Sequence, residues 1–163
     1  MGKLIDSVKF AVAAQCMDGA TTWNNASYLR GNAINVENYR HLTVVILGGA
    51  TGGVTGAVTL RQAATLAGVV VGATIVPIDY VYINDQTAAE SDTWTKTTVT
   101  NNTFTALAAA HLNYIIELET AALTYPFVGI NIVAAVGEKY MGGLYILSQP
   151  RYISAEDAPS VLA

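Results

Sequence analysis

The central part of the chain alternates apolar and polar residues with a period of two, which is typical of β-strands with one buried face. Between His41 and Leu47, the apolar residues Leu42, Val44 and Ile46 fall on one face of such a strand. The same alternation, with Thr, Val, Ile and Tyr dominating, predicts further strands at 58–61, 74–84, 93–100, 103–105, 113–119, 128–132 and 142–148. We therefore predict a chain built of many short strands.

The alternation also predicts which side chains are buried. In the segment 58–61, Val58 and Leu60 should face the core, while Thr59 and Arg61 should face water. In the segment 128–132, the apolar residues should face inward and Asn131 should face outward. Each strand is thus expected to contribute one face to a core.

Turn residues punctuate these strands at short intervals. Asn101-Asn102 should close a tight hairpin. The glycine cluster from Gly48 to Gly56 lacks the Gly-Lys-Ser/Thr ending of a phosphate-binding loop, so we expect a flexible hairpin loop there. The helix-like stretches 106–110 and 120–123 are too short to form packing helices. The predicted fold class is all-β, an antiparallel β-sandwich of which the jelly roll is one form.

The two ends of the chain differ from its middle. Residues 1–30 lack a clean period of two, and residues 150–163 are polar. We expect one domain over 1–163, with an N-terminal arm at 1–30, a β-sandwich at 31–149 and a C-terminal arm at 150–163. Both arms are expected to gain order by contacting neighbouring subunits.

The low charge content indicates that the domain is part of an assembly rather than free in solution. Only 12% of the 163 residues are charged and 52% are hydrophobic, against about 25% charged in ordinary soluble domains. The apolar run 67–78 is too short to cross a bilayer, which takes about 20 residues. Other subunits are therefore expected to cover part of the surface.

Charge and leader sequence also limit the partners and the compartment. A net charge of −4 with scattered basic residues argues against nucleic acid as a partner. Asp6 interrupts the apolar start of the chain, which argues against a signal peptide. No membrane partner is expected, and the protein should be made or assembled in the cytoplasm. Cys16, the single cysteine, excludes an internal disulfide and a multi-cysteine metal site.

Two sets of acidic residues could form a catalytic or a cation-binding site. Glu117 and Glu119 point to the same face of a strand, about 6.5–7 Å apart, a spacing that paired glycosidase carboxylates can use. A solvated strand face explains them better, since nothing nearby separates their pKa values. Asp85, Glu90 and Asp92 share a loop, but their spacing fits no EF-hand, and a turn held by local hydrogen bonds explains them.

The two histidines add no catalytic pattern. His41 and His111 have no serine or cysteine partner in a recognisable motif and form no metal pair at helical spacing. We therefore expect no catalytic residues, no cofactor and no metal, and we do not expect an enzyme.

The aromatic residues are the better candidates for contact sites, because Trp and Tyr are enriched in the centres of interfaces. About half of them should pack in the core. The residues predicted to anchor contacts between subunits are Trp23, Tyr28, Tyr39 and Tyr152.

The order of several strand patterns resembles that of small structural proteins of tailed bacteriophages. The resemblance spans residues 38–152 and rests on an "H-L-T" strand, a "V-T-L-x-Q-A" strand, a "D-T-x-T-K" strand and a "Y-I-I-E-L" strand. These lie, with the ending that follows them, at 39–46, 57–63, 92–105, 114–118 and 148–152. Within that group, capsid decoration or cement proteins fit best.

This resemblance implies a non-enzymatic β-sandwich that oligomerises, with a homotrimer favoured. The implied partner is the major capsid protein, and the implied location is the capsid surface of the virion, assembled in the host cytoplasm. Such a protein clamps neighbouring capsomers and stabilises the mature head lattice.

Two alternatives remain open at this stage. A tail or head-completion component of the virion would share the β-rich, low-charge composition. A carbohydrate-binding β-sandwich would stack Trp23, Trp94 and tyrosines on sugars, and an aromatic platform exposed on one sheet face would favour it.

Overall fold

The structure, a computed structural model, describes residues 8–14, 29–30, 32–48, 56–70, 73–85, 93–106, 112–134 and 141–151. Within these residues the strands are β1 (Val8–Ala14), β2 (Leu29–Arg30), β3 (Ile34–Asn35), β4 (Tyr39–Gly48), β5 (Gly56–Ala63), β6 (Thr74–Ile75), β7 (Tyr80–Asp85), β8 (Trp94–Thr98), β9 (Phe104–Ala106), β10 (Leu112–Glu119), β11 (Phe127–Ala134) and β12 (Met141–Pro150). A short helix, α1 (Leu66–Val70), and a 3-10 turn, Thr120–Ala122, accompany them.

The strands form two antiparallel sheets packed face to face. The first sheet has the order β1-β12-β4-β10-β7-β8. The second has the order β2-β11-β5-β6, with β3 also pairing β11 and β9 also pairing β5. The all-β sandwich predicted from the sequence is confirmed.

The core lies between the two sheets and follows the predicted alternation. Leu42, Val44 and Ile46 of β4 point inward and are almost fully buried, and Tyr114 and Ile116 of β10 lie beside them. The other sheet-borne members of the same cluster include Val58, Leu60, Val128, Ile130, Ile132, Tyr145 and Leu147. The inward-facing positions predicted on β5 and β11, and the shared face predicted for Leu42, Val44 and Ile46, are therefore confirmed.

A second, smaller core lies outside the sandwich. Helix α1 packs on the outer face of the second sheet, where Val69 is buried with Ala33 and Ala63. Gly129 of β11 allows this approach, because a Cβ there would lie 2.5 Å from Val69 Cγ1. The sequence pattern did not predict α1, since five residues are too few to show a helical period.

Two positions predicted to face water are buried. Thr59 is 7% exposed and Asn131 is 6% exposed, although both lie on the outer face of the second sheet. Asn131 Nδ2 donates a hydrogen bond to Thr59 Oγ1 at 3.1 Å, so burial leaves this amide group paired. The prediction was wrong here because a period of two gives the face but not whether that face is covered. Arg61, on the same face, is half-buried.

The connection expected to be a hairpin at the glycine cluster instead joins the two sheets. Gly48 ends β4 in the first sheet and Gly56 begins β5 in the second, and the two strands do not pair. Likewise, the single strand predicted at 74–84 is two strands, because β6 pairs with β5 in the second sheet and β7 belongs to the first. Both predictions were wrong for one reason: an apolar run does not reveal a change of sheet.

The turn predicted at Asn101-Asn102 is present, but the hairpin predicted there is wrong, because β8 pairs with β7 in the first sheet and β9 pairs with β5 in the second. Both residues have φ of 58°, and Thr100 and Thr103 form an antiparallel bridge around them. Asparagine tolerates this left-handed region better than most residues, which explains its use at both positions. Of the two helix-like stretches, Thr120–Ala122 is a single 3-10 turn, whereas residues 107–110 lie outside the described residues.

Parts of the two predicted arms belong to the sheets. In the segment 1–30, Val8–Ala14 forms edge strand β1 of the first sheet, and Leu29–Arg30 forms β2 of the second. These residues are strands rather than an arm, because β1 pairs with β12 from Val8 to Ala14, with one register shift between Val12 and Ala14. At the other end, Arg151 N–H donates to Asn38 O at 2.8 Å, and residues 152–163 lie outside the described residues.

Candidate functional surface

The outer face of the first sheet carries an apolar cluster that the described chain leaves partly uncovered. We call it the apolar half, and it comprises Phe10, Val12, Val45, Leu47, Leu144 and Ile146 on the neighbouring strands β1, β12 and β4. Phe10 is 53% exposed, Val12 46% and Leu47 53%, while the other three are half-buried. Large apolar side chains this exposed on one sheet face make the cluster a candidate contact surface.

The strand register makes this surface continuous. Val12 pairs with Leu144, and Leu144 pairs with Val45, so the three side chains form a row across the sheet. Phe10 pairs with Ile146 in the next row along the strands. Strand and residue spacings give the apolar half dimensions of about 15 by 20 Å, or about 300 Å².

The opposite half of the same face is aromatic. We call it the aromatic half, and it comprises Tyr80 and Tyr82 of β7 with Trp94 and Lys96 of β8. Tyr82 pairs with Lys96 in the β7–β8 ladder, and Trp94 lies one position diagonally from Tyr82. The Tyr80 and Tyr82 ring centroids are 5.4 Å apart in an edge-on arrangement, and Lys96 Nζ lies 3.8 Å from the Tyr80 centroid.

A polar strip lies at one end of this face, on β4 and β10. His41 Nδ1 lies 3.1 Å from Glu119 Oε1, and the Glu119 side chain is 68% exposed. Glu117 is also exposed. Glu117 and Glu119 therefore occupy a solvated strand face, as expected from the sequence. A surface ion pair such as that of His41 with Glu119 contributes about 0–1 kcal/mol to stability.

A cleft of about 220 Å³ opens at one end of the sandwich. Its walls include Val36, Glu37, Tyr125 and Arg151, with Thr120 at its base. Arg151 Nη2 donates to Thr120 Oγ1 at 3.3 Å. This contact ties the C-terminal end of β12 to the 3-10 turn.

Only one of the four predicted anchor residues lies in the described part of the chain. Tyr39, at the start of β4, is 5% exposed, and burial raises the pKa of its phenol above the ordinary value. Trp23, Tyr28 and Tyr152 lie outside the described residues. The interface role of these four residues stays a prediction.

Sequence reasoning missed the residues that the structure brings together on the outer face. Phe10 and Val12 lie within the predicted N-terminal arm, for which the sequence predicts no strand face. Tyr80 and Tyr82 did carry a signal, because two aromatic residues at a spacing of two lie on the same side of a strand.

The described residues hold no group of three or more His, Cys, Asp or Glu side chains that could bind a metal ion. Glu90 and Asp92, considered with Asp85 as a loop, lie outside those residues. No helix in the described segments is long and apolar enough to span a membrane.

Comparisons with known proteins give one structural similarity. No protein-family model matches the sequence, and no curated protein matches it. The fold is similar to the crystal structure of SPBc2 prophage-derived protein YomS, with a TM-score of 0.43 and 12% sequence identity. The similarity covers 85% of this chain and 92% of that protein.

Proposed function

We propose that this chain is a structural protein of a tailed-bacteriophage virion, which binds the capsid surface and stabilises the mature head lattice. The observation that carries the proposal is the apolar half, where Phe10, Val12 and Leu47 stay exposed on a regular sheet face. The low charge content of 12% supports an assembled protein. The resemblance of residues 38–152 to phage structural proteins favours a virion as that assembly.

The size of the apolar half suits a repeated weak contact better than a single strong one. Burying about 300 Å² on each partner would yield about 15 kcal/mol before costs. Association itself costs about 4–15 kcal/mol, and stable pairs bury about 800 Å² per partner. The difference is about 0–11 kcal/mol. Because the area is well below that of a stable pair, we expect one contact to be weak, while many copies bound to a repeating lattice hold together by multivalency.

Repeated binding to an assembled lattice also explains how a small protein could stabilise a capsid shell. A ligand that binds the assembled lattice, and not the separate subunits, shifts the equilibrium towards the lattice by mass action. The partner we propose is the major capsid protein. Self-association as a homotrimer would add the further contacts that multivalent attachment needs.

Quantitative mass spectrometry of purified virions tests the proposal at the level of copy number. We expect a ratio to the major capsid protein near one, or a simple fraction set by lattice axes. A few copies per particle would contradict decoration and favour the tail or head-completion alternative. Absence from virions would contradict both.

A pair of variants tests the surface itself. Phe10→Glu places a charge in the apolar half, and we expect its binding to capsids lacking the protein to weaken at least about tenfold, or 1.4 kcal/mol. Thr95→Glu, on exposed strand β8 away from that half, is the matched control. Equal binding of both variants, each with unchanged circular dichroism, would contradict the role given to the apolar half.

A further inference from the structure

The hairpin of β7 and β8 presents a second surface that the proposed function does not use. Every residue of β8 is exposed on both faces of the strand, so the second sheet does not cover it. Trp94 is 42% exposed on the same outer face as Tyr80 and Tyr82. The aromatic half is thus accessible at the edge of the sandwich farthest from β1.

Three side chains of the aromatic half, those of Tyr80, Tyr82 and Lys96, contact one another before any ligand arrives. The Tyr80 and Tyr82 rings meet at 78°, so the edge of one supports the other. Lys96 Nζ sits over the Tyr80 ring at 3.8 Å, which fixes the ammonium group through a cation–π contact. Ordering two rings and one cation in advance lowers the entropy cost of binding.

The charges around the rings are balanced in sign. Lys96 supplies hydrogen-bond donors, and no ion pair involving it lies within the described residues. Glu117 supplies acceptors on β10, two residues beyond Ile115, which pairs with Tyr82. A cation alone among aromatic rings would favour an anionic ligand, whereas a donor and an acceptor flanking the rings favour a neutral one rich in hydroxyl groups.

We propose that the aromatic half binds neutral saccharides. Pyranose rings have apolar C–H faces that stack on aromatic rings and hydroxyl rims that both donate and accept hydrogen bonds. Trp94 and Tyr82 provide the stacking surface, Lys96 donates to hydroxyl oxygens, and Glu117 accepts from hydroxyl groups. Three rings also offer far less area than the roughly 800 Å² per partner that a stable protein contact needs.

The inference is independent of the proposed virion role, since the apolar half and the aromatic half lie on different strands. A saccharide-binding surface on a virion protein would let the particle adhere to glycans. The same surface would serve equally on a protein with no virion role.

A glycan array containing neutral and acidic glycans, followed by titration calorimetry with maltohexaose, cellohexaose and chitohexaose, tests the inference. We expect at least one neutral glycan to bind, and Trp94→Ala and Tyr82→Ala each to weaken that binding about tenfold. Phe10→Ala is the matched aromatic control in the apolar half, and its glycan affinity should equal that of the wild type.

Three results would overturn the inference. The first is silence of the wild-type protein on the whole array, and the second is binding that is unchanged in Trp94→Ala. The third is binding of polygalacturonate or oligothymidylate without any neutral glycan, which would show that Lys96 dominates. If Trp94→Ala instead abolishes attachment to capsids while glycan binding is absent, the aromatic half is a protein contact.

Discussion

Tyr145 Oη accepts a hydrogen bond from the backbone N–H of Ile130 at 2.9 Å, and this bond joins the two sheets through the core. Tyr145 lies on β12 of the first sheet and Ile130 on β11 of the second. On one side of β11, β3 pairs with residues 127–128 and β2 with residues 131–132. The phenol therefore provides a hydrogen-bond acceptor for β11 in a stretch that lies between two short neighbouring strands.

We expect Tyr145→Phe to lower the free energy of unfolding by about 1–3 kcal/mol, because it leaves the buried Ile130 N–H unpaired. Urea denaturation followed by circular dichroism measures the change. Tyr125→Phe, at a partly exposed position, should change stability by less than about 0.5 kcal/mol. Equal stability of the two variants would show that the bond across the core contributes nothing net.

Stability should fall at alkaline pH. Burial raises the pKa of Tyr145 well above 10.0, its ordinary value, and the Ile130 hydrogen bond offsets this only in part. Above pH 10 the unfolded chain therefore loses the Tyr145 proton while the folded protein keeps it. The contribution of this group is complete below pH 10 and falls above it by up to about 1.4 kcal/mol per pH unit.

Comparison of wild type with Tyr145→Phe isolates this effect, since both share all other titrating groups. Unfolding free energies measured from pH 9 to 11.5 should converge as pH rises, because only the wild type loses the Tyr145 contribution. Parallel curves for the two proteins would contradict a raised pKa at this position.

Gly129→Ala should destabilise the fold by about 1–3 kcal/mol, because the added methyl would overlap Val69 Cγ1 on helix α1. Val69→Ala removes the overlapping methyl. In a double-mutant cycle, we therefore expect the double variant to be more stable than the sum of the single effects predicts. Strictly additive effects would show that the overlap with Val69 is not what destabilises Gly129→Ala.

Thr120→Val should also destabilise the protein by about 1–3 kcal/mol. The buried Thr120 hydroxyl donates to Tyr39 O and accepts from Arg151 Nη2, so valine leaves the Tyr39 carbonyl without this donor. Thr120→Ser keeps the hydroxyl and should retain more stability than Thr120→Val. Thr120→Val loses the hydrogen bonds and Thr120→Ser loses the packing of the methyl group. Comparing the thermal unfolding of the two variants therefore distinguishes these two contributions.

Local patterns in the sequence were enough to place most strands and their buried faces. The alternation at 41–47 and the local turn at Asn101-Asn102 depend on neighbouring residues alone, and the structure contains both, although β8 and β9 on either side of that turn do not pair. The change of sheet between β6 and β7 depends on which distant strand each one pairs with. Periodicity contains no such information, which is why 74–84 looked like one strand.

The candidate surface was harder to foresee than the fold. The exposure of Phe10 depends on whether any other segment covers β1, and the sequence does not encode that locally. Thr59 and Asn131 show the converse case, since both are polar yet buried, and they bond to each other. Surface function here follows from tertiary neighbours rather than from residue type.

The pairing of β1 with β12 has a consequence for how the protein is made. β12 lies between β1 and β4, so the first sheet cannot form in its final order until residues 141–150 have left the ribosome. Until then, β1 and one edge of β4 lack their strand partner, and long-range pairing of this kind is slow. The nascent chain is therefore expected to depend on chaperones that bind unpaired strand edges during synthesis.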